Sequence, residues 1–131
     1  MIIKKVATGK SGLYNITEDV KEAVSQSGIK EGLCVVYVPD NDAGLMVTSY
    51  SDKKIHEDIL DDYERIFPAH NKQCYKGDLD EGAAHAKSAV TGVSVDVAIH
   101  EGEAVFGCGQ GIFVADFDGL KAEREFYIKC V

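Results

Sequence analysis

The sequence predicts a single α+β domain over residues 1–131, in which mixed, mostly antiparallel β-sheets pack with two to three helices. Its 131 residues, 45% of them hydrophobic, are the size and composition of a domain with one core. Two long segments place apolar residues at helical spacing, whereas most of the others alternate or form short β-branched runs. Neither a repeat nor a linker divides the chain, so we expect one domain.

The first helix is predicted to follow Asn15, because the hydroxyl of Thr17 precedes two acidic residues and Gly28 supplies a stop. Its apolar residues Val20, Ala23 and Val24 recur at helical spacing. The next segment, residues 32–38, is an apolar run rich in β-branched residues that Pro39 closes. Such a run is typical of a central strand covered on both faces.

Residues 45–50 predict a second strand, and residues 52–67 then change to helical period. The apolar stripe of this second helix is Ile55, Ile59, Tyr63 and Ile66. Pro68 ends it. Residues 69–81 are polar and without sustained period, so we predict a loop long enough to carry a function, followed by a short helix over residues 82–88.

From residue 93 onward the pattern predicts strands. Val93, Val95, Val97 and Ile99 alternate with polar or small residues. His100-Glu101-Gly102 predicts a hairpin turn into residues 104–106. Residues 111–117 and 125–130 predict two further strands, separated by the turn dipeptide Asp118-Gly119.

The composition argues against some classes of partner. A formal charge of -8 without a basic patch disfavours nucleic acid, and no apolar run is long enough to span a membrane. The N-terminus does not resemble a signal peptide, so a cytoplasmic location is expected. The four cysteines lack a Cys-x-x-Cys pair and are expected to be free thiols. Cys34 is expected in the core, and Cys108 could line a site, although we favour burial for it as well.

Three polar segments at strand ends could carry chemistry. Asp40-Asn41-Asp42 could bind a divalent cation through oxygen, or simply stabilise a turn by bonding its own backbone. His85 could act as a general base or metal ligand, with Glu81 and Ser88 on its helix face to orient the ring, although a lone histidine is more often structural or solvated. Gln110 lies among glycines that allow close approach by a ligand or by another part of the backbone.

A further pair, Asp52 and His56, lies one helical turn apart, and we favour a capping or solvated role for it.

Taken in order, these segments resemble the YjbQ-like family, described as secondary thiamine-phosphate synthases, over nearly the whole chain. The segments that carry the resemblance are Ile16-Thr17, residues 28–39, Ala43-Gly44, Asp58-Ile59-Leu60, residues 84–88, residues 92–95, Gly107, residues 110–113 and residues 116–119. The resemblance implies β-sheets packed face to face and assembly as a homotrimer. It also implies a site that gathers three histidines.

This sequence departs from the family's site pattern. His85 matches the histidine of the family's Ala-His-x-Lys motif, but Asp40 and Gly77 stand where the other two histidines are usual. Gly109 replaces a tryptophan, and Asp116 stands where a glutamate is usual. Because two imidazoles are lost, a three-histidine zinc-like centre cannot form from these positions.

Two functions follow from the resemblance. As a weak thiamine-phosphate-synthase-like enzyme, the chain would use His85 as its catalytic acid or base on a small phosphorylated substrate. The substrate-binding residues would be Tyr75, Lys76, Lys87, Gln110 and Gly111. As a non-catalytic trimeric scaffold, it would hold a small ligand or a divalent cation in a degenerate site, with Asp40 and Asp42 as metal ligands.

Overall fold

A computed structural model describes residues 1–68 and 79–131. Its elements in chain order are β1 (Ile2–Ala7), β2 (Gly12–Asn15), α1 (Thr17–Ser27), β3 (Glu31–Tyr37), β4 (Ala43–Ser49), α2 (Lys53–Ile66), α3 (Leu79–Thr91), β5 (Ser94–His100), β6 (Glu103–Ala104), β7 (Gln110–Asp116) and β8 (Glu123–Cys130). The predicted α+β class is confirmed.

The strands form two sheets that pack face to face. The larger has the order β1-β8-β3-β5-β6 and the smaller the order β2-β7-β4. Every pairing in the described part of the chain is antiparallel, so the expected parallel component is not seen there. Helix α1 contributes to the core between the sheets through buried Val20, Ala23 and Val24.

Helices α2 and α3 pack on the other face of the smaller sheet. A second apolar cluster there joins Ala84 of α3 and Tyr63 of α2 to Ala115 and Phe117. This follows from strand alternation, because Ile112 and Val114 of β7 point into the main core whereas Ala115 points towards the helices. The predicted apolar stripe of α2 is only partly buried, since Ile55 and Ile66 remain exposed.

Local signals account for the ends of several elements. Gly28 adopts the left-handed conformation with φ 72° and ends α1. The Asp52 carboxylate accepts hydrogen bonds from the amides of Lys54 and Ile55, and so caps α2 rather than pairing with His56. Glu101 and Gly102 both have positive φ, which matches the predicted tight hairpin between β5 and β6.

Three element predictions are corrected. The two N-terminal strands were not predicted, and α3 begins inside the predicted loop and is 13 residues long. The strand β3 is not covered on both faces, because Leu33 and Tyr37 are 45% and 42% exposed while Cys34 and Val36 are fully buried. Its apolar outward residues explain why the sequence looked like a fully buried strand.

Candidate functional site

Arg124 organises the most charged region of the molecule. It lies on β8 in phase with Phe126 and Ile128, which face the core, and its side chain is fully buried. Its guanidinium donates to carboxylates on two loops and on the end of β7. These bonds run from Nε to Asp116 at 2.9 Å, from Nη1 to Asp40 at 3.0 Å and Asp42 at 2.7 Å, and from Nη2 to Asp118 at 3.1 Å.

The carboxyl groups of Asp42 and Asp118 in this cluster differ in pKa. Burial works to raise the pKa of Asp42, but hydrogen bonds with Asp118 and Arg124 outweigh it and lower that pKa to about 2. Burial and the hydrogen bond with Asp42 raise the pKa of Asp118. Burial alone would lower the pKa of Arg124, but its carboxylate partners raise it. Of these two neighbouring carboxyls, Asp42 is therefore the one that ionises first as the pH rises.

This arrangement bears directly on the predicted metal ligands. Asp40 is held by Lys121 at 2.9 Å as well as by Arg124, and Asp42 is held by Arg124. A cation at these carboxylates would have to displace a guanidinium whose three nitrogens all donate to carboxylates. No group of three or more His, Cys, Asp or Glu side chains within residues 1–68 and 79–131 is arranged to hold a metal ion. The metal site stays a prediction, without support from this geometry.

His85 lies beside Asp40. Both residues line an open depression of about 340 Å³, together with Asn41, Ser88 and Val93. The His85 side chain is 42% exposed, and its Nε2 lies 3.8 Å from Glu81 Oε1. The predicted Glu81 neighbour is therefore present, whereas Ser88 donates its hydroxyl to the Ala43 carbonyl instead of orienting the ring. The imidazole is thus open to a ligand in a shallow depression that solvent can reach.

Lys87, unlike His85, is shielded from solvent. Its side chain is only 10% exposed, and Nζ donates to Glu64 Oε2 of α2 at 2.9 Å. This contact joins α2 to α3 and balances the buried charge. A role in binding substrate stays a prediction for Lys87, but its ammonium already has a carboxylate partner within the chain.

Gln110 does not share the His85 depression. The side chain of Gln110 accepts a hydrogen bond from the Gly107 amide at 2.6 Å, which closes the turn before β7. Gln110 pairs with Ser49 at one end of the β4–β7 ladder, whereas the His85 depression adjoins the Ala43 and Asp116 end. Six residue steps separate these ends, roughly 20 Å at about 3.4 Å per residue. Within one chain His85 and Gln110 therefore lie at different places, and a role for Gln110 in binding substrate stays a prediction.

Gly111 has a packing role. It is buried, and a Cβ there would lie 3.0 Å from Thr17 Oγ1 and 3.1 Å from Tyr50 Cα.

The predicted ligand residues Tyr75 and Lys76 lie outside the described residues, as does Gly77. Cys34 is buried as expected, but Cys108 is exposed, which corrects its predicted burial.

Sequence reasoning missed Arg124 and its contacts with the aspartates. A signal was present, because Arg124 continues the inward phase of Phe126, Ile128 and Cys130 at two-residue spacing. A buried arginine in a strand needs carboxylate partners. The aspartates at positions 40, 42, 116 and 118 come in two pairs, at the end of a strand or directly after one, and could supply them.

Comparison with other proteins gives a consistent picture. The family model described as UPF0047 protein YjbQ-like matches residues 2–131. A UPF0047 protein of Methanocaldococcus jannaschii is 36% identical over 120 residues, which cover 91% of this chain and 84% of that protein. The UPF0047 protein YugU of Bacillus subtilis is 31% identical over 127 residues, 93% of this chain and 91% of its own.

Solved structures agree with the sequence comparisons. An uncharacterised YjbQ/UPF0047 protein of Clostridium acetobutylicum, described as an ortholog of YugU, superposes with a TM-score of 0.92 at 30% identity and covers both chains completely. A YbjQ-like protein of unknown function from Sulfolobus solfataricus has a TM-score of 0.91 at 26% identity, over 98% of this chain and 94% of that one. No described helix of the present chain is long and apolar enough to cross a membrane. From the full-length match and the shared fold, this chain belongs to the YjbQ-like UPF0047 family.

Proposed function

We propose that this chain is a non-catalytic binding protein that holds a small ligand in the depression around His85. The observation that carries the proposal is the state of Asp40, which stands where the family pattern has its first histidine and is held by Arg124 and Lys121. A carboxylate fixed by two cations is a poor substitute for a neutral imidazole that must exchange a proton. Lys87 is likewise occupied by Glu64.

The charges around the depression favour a neutral or cationic ligand. Asp40 is one of the residues that line it, and Asp40 also belongs to a cluster of four aspartates against the two cations Arg124 and Lys121. Negative charge predominates, because four carboxyls face only two cations. A phosphorylated ligand would be repelled unless a cation accompanied it. A small heteroaromatic cation could stack on the His85 ring and donate to Asp40.

Calorimetric titration tests the proposal with thiamine, thiamine phosphate and divalent ions as probes. We expect thiamine to bind at least tenfold more tightly than thiamine phosphate, and His85→Ala to weaken that binding. A matched control is His100→Ala, which removes an exposed imidazole paired with Glu31 on the other sheet. Binding that is absent for every probe, or unchanged in His85→Ala, would contradict a ligand site at this position.

A second candidate is the thiamine-phosphate-synthase-like reaction, which the open position of His85 favours. It requires Gln110 to come from a neighbouring copy, since the two residues lie at opposite ends of the ladder in one chain. The assay supplies the pyrimidine pyrophosphate and the thiazole phosphate and measures thiamine phosphate. Product formation by the wild-type chain that exceeds that of His85→Ala would favour this enzyme over the binding protein.

We also propose that the chain works as a homotrimer within the cytoplasm. Support comes from the outward face of the larger sheet, where Ile3, Tyr127 and Tyr37 are register partners across three strands. Ile3 and Tyr37 are exposed, and the two tyrosine rings lie 6.2 Å apart. An apolar row of this kind is typical of a surface that another chain covers.

Sedimentation velocity tests the assembly. The wild-type chain should sediment as a trimer and Tyr37→Lys as a smaller species, because a charge on this face would be buried at an interface. Leu120→Lys changes an 83% exposed leucine in the turn after β7 and should leave the trimer intact. A monomeric wild-type chain would rule the trimer out.

A further inference from the structure

Cys34 and Cys130 face each other across the pairing of β3 with β8. Their neighbours Leu33 and Val131 exchange both backbone hydrogen bonds, each at 2.8 Å. In an antiparallel ladder the positions next to such a pair are not hydrogen-bonded, and their Cα atoms lie roughly 4.5 Å apart with side chains on the same face. That separation falls within the range of about 4.4–6.8 Å that a disulfide spans.

The two thiols differ in access to solvent. Cys34 is fully buried, and burial together with the hydrogen bond to Cys130 raises the pKa of its thiol to about 12. Cys130 is half-buried and lines an open depression of about 320 Å³, with Ser27 at the end of α1 and Met1 among the other walls. A small reagent can therefore reach Cys130, whereas Cys34 is protected from solvent but lies next to Cys130.

We propose that Cys34 and Cys130 form a redox-active pair that closes into a cross-strand disulfide when Cys130 reacts with a low-molecular-weight disulfide. The Cys130 thiolate attacks one sulfur of the reagent, the reagent's S–S bond breaks, and one small thiolate leaves and takes up a proton. A mixed disulfide remains on Cys130. The sulfur of Cys34 then attacks Cys130 as its proton passes to the departing second small thiol.

In the net reaction, two protein thiols are oxidised to a disulfide and one small disulfide is reduced to two thiols. Because the Cys34 thiol is rarely ionised, the second step is the slower one, and the mixed disulfide should appear first. The closed form would join β3 covalently to the end of β8. That link closes a long loop of chain and would restrict the unfolded state.

The test uses oxidised glutathione with the full chain, in a Cys74→Ser/Cys108→Ser background that leaves only this pair. We expect both titratable thiols to disappear, with a product lighter by two hydrogens and a cross-linked peptide that contains Cys34 and Cys130. Reduced glutathione should restore both thiols. The oxidised protein should also have a higher urea midpoint than the reduced protein. If the background variant does not fold, peptide mapping of the wild-type chain gives the same readout.

Matched variants separate the role of Cys130, which reacts with glutathione first, from that of Cys34, which closes the disulfide. Cys34→Ala should stop at a stable glutathione adduct on Cys130, and Cys130→Ala should leave Cys34 unmodified until the protein is unfolded. A lasting adduct on Cys130 while Cys34 stays free in the otherwise intact pair would overturn the proposal. So would disulfides that link only separate chains, or an absence of any reaction.

Discussion

The Nε of Arg124 donates to Oδ2 of Asp116 at 2.9 Å, and neither side chain is exposed to solvent. The ion pair joins β8 of the larger sheet to β7 of the smaller sheet. The remaining guanidinium nitrogens reach the loop after β3 and the turn after β7. Arg124 thus connects the two sheets at the edge where the His85 depression lies.

Replacement of Arg124 should be severely destabilising. Arg124→Leu leaves a buried Asp116 carboxylate without its cation, and the loss of one partner of a buried ion pair costs about 3–5 kcal/mol. Arg124→Lys should recover little, because one ammonium cannot replace a planar group with five donors. Urea denaturation measures both. Lys121→Met is the control, since its half-exposed ammonium binds Asp40 alone among these carboxylates and should cost under about 1 kcal/mol.

The acid limb of the stability profile should depend on Asp42. Its folded pKa of about 2 lies below the ordinary 3.8, so the ionised form is favoured by folding. This contribution is present above about pH 4 and is lost as the pH falls towards 2. The raised pKa of Asp118 acts in the opposite sense, because its contribution is lost as the pH rises through the raised value.

Urea midpoints measured at a series of pH values check this dependence. Asp42→Asn should flatten the fall in stability between pH 4 and 2, whereas Glu57→Gln on the exposed face of α2 should leave it as in the wild-type chain. Equal slopes for the wild-type chain and Asp42→Asn would mean that Asp42 is not held as described.

Gly44 should be intolerant of a side chain. A Cβ there would lie 2.8 Å from Thr91 Cγ2 and 2.9 Å from the Gly92 carbonyl, where β4 meets the end of α3. We expect Gly44→Ala to cost about 1–3 kcal/mol of unfolding free energy, because the helix must shift to make room. Gly12→Ala is the matched control on β2, where the nearest atom would be 3.8 Å away, and its midpoint should stay close to that of the wild type.

Much of the fold was predictable because it rests on local patterns. Alternation gave β5 and the turn residues gave the hairpin at Glu101 and Gly102, and both depend on neighbours in the sequence. The first strand was not predicted, because Ile2 and Ile3 are consecutive and both are exposed, so their apolar character does not follow one face.

The site was less predictable because its contacts are distant in sequence. Asp40 and Arg124 are brought together only when β8 pairs with β3, and no local pattern specifies that pairing. His85 was singled out from its own helix, but only the family pattern, whose spacing carries tertiary information, gave it a place in a larger site. Gln110 followed from the same pattern, but a pattern does not tell which copy of a chain supplies each side chain.

The His85 depression and Gln110 adjoin opposite ends of the β4–β7 ladder, so energetic coupling between these two residues can report whether chains assemble. In an isolated chain, the two residues lie near opposite ends of a ladder roughly 20 Å long, so the free energies of the two alanine substitutions should add. Coupling between them in a ligand-binding cycle would then have to cross from one chain to another. A double-mutant cycle at these two positions can thereby report that neighbouring copies share a pocket, without a structure of the complex.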